Sequence, residues 1–441
     1  MIDQRRPVHP QKMIGLFASI LLYVIMPFMM LPGAQETYHA PKLLAGAAIA
    51  AGWILALFVL RMLDAERVRR FGPGSARMTY WNAGWIDALP IVLLGFSMVS
   101  MWYSVDRAQS LLGFSWVPEG LFSWLLYMIL FLLFRHEGSW SESVMNTGLI
   151  AASLIALIGI LQFGEWLPLF SDGYLSIGMA TIGNRNFVGT YTTLMLPISV
   201  WMWMEKAKWP YLLSSVLLFL LMLASLTRSA WIAFLVWFPL LLLLELRKKE
   251  GVKRLLLFFG VIVLAFVLAD VVSGNLFSKR IGSILNDLMH LSSDDAGSSR
   301  MLIWKMSLPL LFDRPVTGYG IDTFNLVFFS LPGATLHFDR LERLMKAHNE
   351  WLQIGITMGW GALLSYLVLL FGAIGKGISS IWGKLRAHPW KVPVLCAVVG
   401  YVVQAQFNIS VPLNALLFWA LLGLLASDQR QDGDVASGVM E

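Results

Sequence analysis

Three arginines and one histidine have the residue type and the surroundings to do chemistry. Arg228, in LASLTRSAWIAF, places a cation in a turn between two apolar runs so short that the flanking segments nearly touch. A guanidinium held there offers paired hydrogen bonds to phosphate or carboxylate, so it reads as an anion clamp; a snorkelling headgroup anchor is the alternative. Arg300 opens the amphipathic stretch SSRMLIWKMSL, capped by Ser298 or Ser299, where a cation adds to the helix dipole instead of opposing it. An anion bound at that helix start makes sense of the choice, as does a surface ion pair with Asp294 or Asp295. Arg185 stands in TIGNRNFVG between Asn184 and Asn186. His348, in KAHNEWLQIG, precedes Asn349 and Glu350 at the start of an apolar run. An imidazole there can take a proton from a hydroxyl near neutral pH, or serve as a hydrogen-bonded helix cap.

Other chemistries find little support. No H-E-x-x-H spacing occurs and the seven histidines are scattered, which argues against a His-built metal site. The one cysteine, Cys396, lies inside an apolar run and reads as buried filler. Gly318-Tyr319-Gly320 leads into Thr323-Phe324 as a turn, and a lone G-x-G away from a strand–helix junction says nothing about nucleotides. Asn408-Ile409-Ser410 matches a glycosylation sequon formally but sits in a minimal turn against an apolar run.

The elements that must position these residues are membrane helices. Of 441 residues 57% are hydrophobic and 14% charged, and the mean hydropathy is +0.68. Soluble domains carry about 25% charged residues, so soluble enzymes, disordered scaffolds and secreted disulfide frameworks are excluded. The expected fold is all-α: a single polytopic transmembrane domain over 1–441, with about twelve spans. They lie near 13–31, 43–61, 85–103, 119–134, 144–163, 187–204, 209–225, 229–246, 254–272, 350–372, 392–408 and 411–426.

Charge sets the orientation. Alternate loops on one side hold most of the 33 Lys and Arg residues, among them Arg61, Arg67, Arg69, Arg70 and Arg77, then Arg247, Lys248, Lys249, Lys253 and Arg254. The short loops on the other side hold only Lys42, Arg107, Arg185 and Arg228. Positive residues stay in the cytoplasm, so both termini are expected there, and the formal charge of +6 needs no nucleic acid to explain it. One large outward loop, 273–347, carries amphipathic helices. The middles of the apolar runs are essentially free of ionisable residues; the candidates Asp106, Arg107, Glu119, Arg185, Arg228, Arg300 and His348 all lie at outer ends. Trp102, Tyr103, Trp201, Trp203, Trp209 and Trp231 read as interface anchors.

Four passages together resemble the O-antigen ligase and O-antigen polymerase superfamily of bacterial membrane glycosyltransferases. They are YSVDRAQSLLGFSWVPEGLFSWL; TIGNRNFVGTYTTLMLP, with its Gly-Asn-x-Asn-Phe segment; LTRSAW; and SSRMLIWKMSLPLLFDRPVTGYGIDTF through AHNEWLQIGITMGW. The resemblance covers most of 85–425 and implies an all-helical GT-C type enzyme of the bacterial cytoplasmic membrane. Its expected partners are an undecaprenyl-diphosphate-linked glycan and an acceptor hydroxyl on lipid A core, glycan, other lipid or protein. No cofactor, nucleotide sugar or essential metal is implied. Arg228 and Arg300 match the arginines that hold the diphosphate, and His348 the histidine that acts at the acceptor. Asn184, Asn186 and Asn349 fall at further substrate-binding positions. Arg185 stands where many members have proline, which makes it an additional diphosphate clamp or a local ion-pair partner. Ligase and polymerase remain alternatives. A lipid-linked oligosaccharide flippase is the rival from another class, although neither a charge-lined central cavity nor two related halves is visible.

Overall fold

The computed structural model describes residues 10–31, 37–72, 75–76, 78, 81–138, 140–166, 179–246, 249–290, 296–338, 344–382 and 388–428. Among these residues the chain is helical, apart from an isolated bridge between Phe114 and Val117. In chain order the helices are α1 (Pro10–Ile20), continued by a π turn and a 3-10 turn to Phe28, α2 (His39–Phe71), α3 (Trp85–Trp102), α4 (Arg107–Leu112), α5 (Leu121–Glu137) and α6 (Glu142–Phe163). Then follow α7 (Arg185–Lys206), α8 (Trp209–Ala224), α9 (Arg228–Glu245), α10 (Lys249–Val272), α11 (Leu276–Met289) and α12 (Ala296–Ser307). The last are α13 (Leu310–Asp313), α14 (Phe324–Phe328), α15 (Ala334–His337), α16 (Glu350–Trp382), α17 (Lys391–Ala405) and α18 (Pro412–Ala426).

Each expected span falls on a helix. Seven of them, α1 with its continuation, α2, α3, α6, α9, α10 and α16, are long and apolar enough to cross a membrane, and α8, α17 and α18 are shorter apolar helices. The molecule is a polytopic membrane protein. Every residue of α18 is buried, as a helix that is apolar all round requires. It packs chiefly on α5, while α16 packs on α3 and α17 on α9 and α7. By contrast α2 and α10 bare Leu55, Phe58, Leu256, Leu257, Leu264 and Leu268. Aliphatic side chains left uncovered along whole helix faces are what lipid contact demands. Trp102, Tyr103 and Trp209 are exposed at helix ends, but Trp201, Trp203 and Trp231 are buried instead, with indole N–H groups donating to Glu245, to the Arg254 carbonyl and to the Met222 carbonyl.

The segment between α10 and α16 folds over a small core of its own, formed by Ile303, Tyr319, Phe324, Phe328, Ala347 and Ile356. It locks onto α16 at a kink, where Gly359 has φ +84°. Tyr319 and Gly320 donate their N–H groups to the carbonyls of Ile356 and Thr357 at 3.1 and 2.9 Å, and Trp360 donates to the Pro315 carbonyl at 2.7 Å. Such kinks leave carbonyls that a neighbouring segment can satisfy. Gly320 is required here: its φ is +115°, and a Cβ would stand 1.9 Å from Ser104 Oγ. The serine caps expected for α12 are not used, because the helix opens at Ala296 and Ser299 stands inside it with φ +63°. Asp294 and Asp295, offered as partners of Arg300, lie outside the described residues.

Candidate functional site

Arg185 and Arg228 are each the first residue of a helix, α7 and α9. Asn184 caps α7, its Oδ1 accepting the Asn186 N–H at 2.8 Å. Thr227 caps nothing; its hydroxyl donates to the Arg185 carbonyl at 2.9 Å and so ties the two helix starts together. The Asn186 carbonyl accepts the Asn408 side-chain N–H at 3.1 Å, which buries Asn408 and closes off the sequon. α11 covers this corner. Its Arg280 donates Nε–H to the Leu226 carbonyl at 3.0 Å, and its Asp287 forms an ion pair with Arg228.

The cations of this corner act on one another. Burial, then the charges of Arg228 and Arg185, hold the Arg280 guanidinium below its ordinary value, with Asp287 acting the other way. Burial, then Arg228 and Arg280, push Arg300 down to about 10, again against Asp287. Four arginines from α7, α9, α11 and α12 therefore share one corner, where Asp287 pairs with Arg228. Grouped positive charge of this kind can bind a multiply charged anion.

His348 adjoins this cluster. Burial, then the charge of Arg300, pushes its imidazole down to about 3, so at neutral pH it is uncharged; an anion bound at Arg300 would offset that charge and raise its basicity. Its backbone is left-handed, φ +52°, and its Nδ1 is buried without a hydrogen-bond partner among the described residues. It is not the cap of α16. Asn349 has that role, its Oδ1 accepting the Leu352 N–H at 2.9 Å. His348 and Asn349 line a cleft enclosing about 430 Å³, part of it open to solvent, together with Glu119, Asp322, Lys346 and Ser410.

The structure thus brings together Arg185, Arg228, Arg300 and His348. Asn184 and Asn349 spend their side-chain oxygens on helix caps, and only Asn349 also lines the cleft. Asp106 and Arg107 serve locally: Asp106 caps α4, accepting the Gln109 N–H at 2.9 Å, and Arg107 donates to the Trp102 carbonyl. Sequence reasoning missed Arg280, Asp287, Asp322 and Lys346. Arg280 and Asp287 are seven residues apart, on one face of an amphipathic helix, and that spacing was a readable signal. Asp322 and Lys346 gave none, since only folding places them beside Glu119.

The O-antigen ligase family matches residues 213–367, a stretch that includes Arg228, Arg280, Arg300 and His348. The ComP-specific O-oligosaccharyltransferase of Acinetobacter baylyi is 28% identical over 225 residues, 49% of this chain and 39% of that protein. The general O-oligosaccharyltransferase of the same organism is 23% identical over 409 residues, 88% of this chain and 64% of that protein. The chain spans less than two thirds of the length of either relative. With its helical membrane fold and its arginine corner beside His348, the chain is similar to the O-antigen ligase family over 213–367 and to these two O-oligosaccharyltransferases.

Proposed function

We propose that this chain is a membrane glycosyltransferase that moves a glycan from an undecaprenyl-diphosphate donor to an acceptor hydroxyl at the outer face of the bacterial cytoplasmic membrane. The observation that carries the reading is the convergence of four arginines on one corner with a neutral imidazole beside Arg300. A diphosphate leaving group gathers charge as the sugar C1–O bond breaks, and guanidinium groups fixed in place stabilise that charge without reorganising. Arg228 and Arg300 hold the diphosphate, with Arg185 and Arg280 as further contacts. His348 accepts the proton of the acceptor hydroxyl as its oxygen attacks C1 from the face opposite the leaving group, so the anomeric carbon inverts. The reaction in this scheme needs no metal. Asn186 and Asn349 border the substrate, and Asn184 acts through the α7 cap. The segment 273–347 lies outside, both termini lie in the cytoplasm, and the polyprenyl tail runs along the apolar helices.

Both relatives are named as O-oligosaccharyltransferases, one specific for ComP, which favours a protein hydroxyl among the possible acceptors. The test is transfer by the purified full chain in detergent, with an undecaprenyl-diphosphate glycan as donor and EDTA present, beside Arg300→Ala. Product that requires a separate protein or lipid acceptor and is absent in the variant supports a ligase-type transferase. A ladder grown from donor alone makes it a polymerase. No product with any acceptor overturns the enzyme reading in favour of a flippase.

A further inference from the structure

We propose that Lys346, through its ion pair with Glu119, and Trp304 are positioning residues that hold the His348 imidazole against the cleft. The inference rests on the reading of His348 as the proton acceptor. A left-handed backbone at a residue with a side chain is unfavourable and persists only where the surroundings over-determine it. Around His348 they do. The Ala347 carbonyl accepts the Trp304 indole N–H at 3.0 Å, and the Ala347 N–H donates to Gln353 Oε1 at 2.9 Å. On the far side Asn349 is fixed as the α16 cap.

Lys346 anchors the near side. Its side chain is 4% exposed; the ammonium pairs with the Glu119 carboxylate, donates to the Ser410 carbonyl at 3.2 Å and lies 3.7 Å from Asp322 Oδ1. Glu119 is itself held, its Oε1 accepting from the Tyr127 hydroxyl at 2.6 Å and the Ser410 hydroxyl at 2.9 Å. Asp322 Oδ2 accepts the N–H groups of Phe114 and Glu119 at 2.7 and 3.3 Å. One buried ammonium therefore joins the α4–α5 connection, the Gly-Tyr-Gly turn, the α16 entry and the α17–α18 turn. A buried ion pair is a weak source of net stability compared with an apolar pair of the same size, but it fixes geometry. Trp304 adds a link to the arginines: it lies four residues after Arg300 on α12, hence on the same helix face. The helix that carries one arginine of the corner thus also grips the peptide next to the imidazole.

Two variants test the positioning. Trp304→Phe keeps a ring in place and removes the N–H; Lys346→Met combined with Glu119→Gln removes the ammonium and its paired carboxylate together and leaves Asp322. Positioning predicts that each lowers kcat about 100-fold, the cost typical of a misplacement near 1 Å, with the donor KM unchanged. Lys346→Met alone should also lower the thermal midpoint, because Glu119 and Asp322 are left buried without their cation; adding Glu119→Gln should recover part of the loss, Asp322 keeping its two backbone N–H donors, without restoring kcat. Wild-type kcat in Trp304→Phe, or kcat that returns with the midpoint in the double variant, overturns the proposal and leaves the network as scaffold. His348→Ala separates the two readings: full turnover in that variant defeats the role given to His348 itself, whereas an inactive His348→Ala beside fully active network variants defeats only the positioning.

Discussion

Arg300→Met should make the protein more stable and inactive at once. Arg300 is pushed down to about 10 by burial and by the charges of Arg228 and Arg280. A group whose folded-state value lies below its ordinary one binds its proton less well when folded, so its charge opposes folding. That penalty is fully present at neutral pH and is relieved only as the pH rises through about 10. At 1.36 kcal/mol per pH unit the gap amounts to roughly 3 kcal/mol. Partial solvent access at the cluster reduces this to about 1–2 kcal/mol. The neutral side chain keeps most of the stem's packing and removes the repulsion, so the thermal midpoint in detergent should rise by a few degrees. Transfer from the diphosphate donor should be lost in the same sample. Inorganic pyrophosphate, which neutralises the corner, should raise the midpoint of the wild type much more than that of the variant. A midpoint that falls in Arg300→Met, or a pyrophosphate shift equal in both proteins, would refute the view that repulsion among the arginines opposes folding and that Arg300 takes part in binding the diphosphate.

The other predictions concern the same corner. Arg228→Lys keeps the charge but loses the bidentate fork, and should cut kcat/KM on the order of 10²-fold; full activity with the donor would rule out the clamp. Asp287→Asn removes the carboxylate that the incoming diphosphate must displace from Arg228, so the donor KM should fall about tenfold, the equivalent of one charged hydrogen bond of about 1.4 kcal/mol; an unchanged or higher KM would show that Asp287 does not compete with the donor. With the free imidazole of His348 held near 3, kcat/KM should stay flat as the pH is lowered from 8 to about 5 and fall only below that. An acid limb centred at the ordinary histidine value, near 6.5, would show an imidazole in contact with water.

Much of the architecture was legible before folding. Runs of apolar residues long enough to cross a bilayer have few structural alternatives, because every backbone polar group in lipid must be paired within its own helix. That is why each expected span falls on a helix. Arg185 and Arg228 were legible as single cations in short connections between apolar runs, and Arg300 as a cation at the start of an amphipathic helix, where it adds to the helix dipole. The tryptophans were less so. Trp201, Trp203 and Trp231 have the same sequence setting as Trp102, and whether an indole at a helix end meets headgroups or a neighbouring helix depends on which helices surround it. Arg280 and Asp287 share one face of amphipathic α11, a spacing that was visible in the sequence but that equally describes a solvated surface.

The sequence by itself determined that the protein is a helical membrane protein with its cations at one set of helix ends, since hydropathy and residue type act locally and need no partner. Only the tertiary structure decided that α7, α9, α11 and α12 turn those cations toward one corner. It also decided that Asn349, rather than His348, caps α16, which leaves the buried imidazole Nδ1 without a hydrogen-bond partner among the described residues. The buried meeting of Lys346 with Glu119 and Asp322 belongs there too, joining positions more than 200 residues apart in the chain. Burial and distance between remote residues set the energy of a charge, and neither exists until the helices pack.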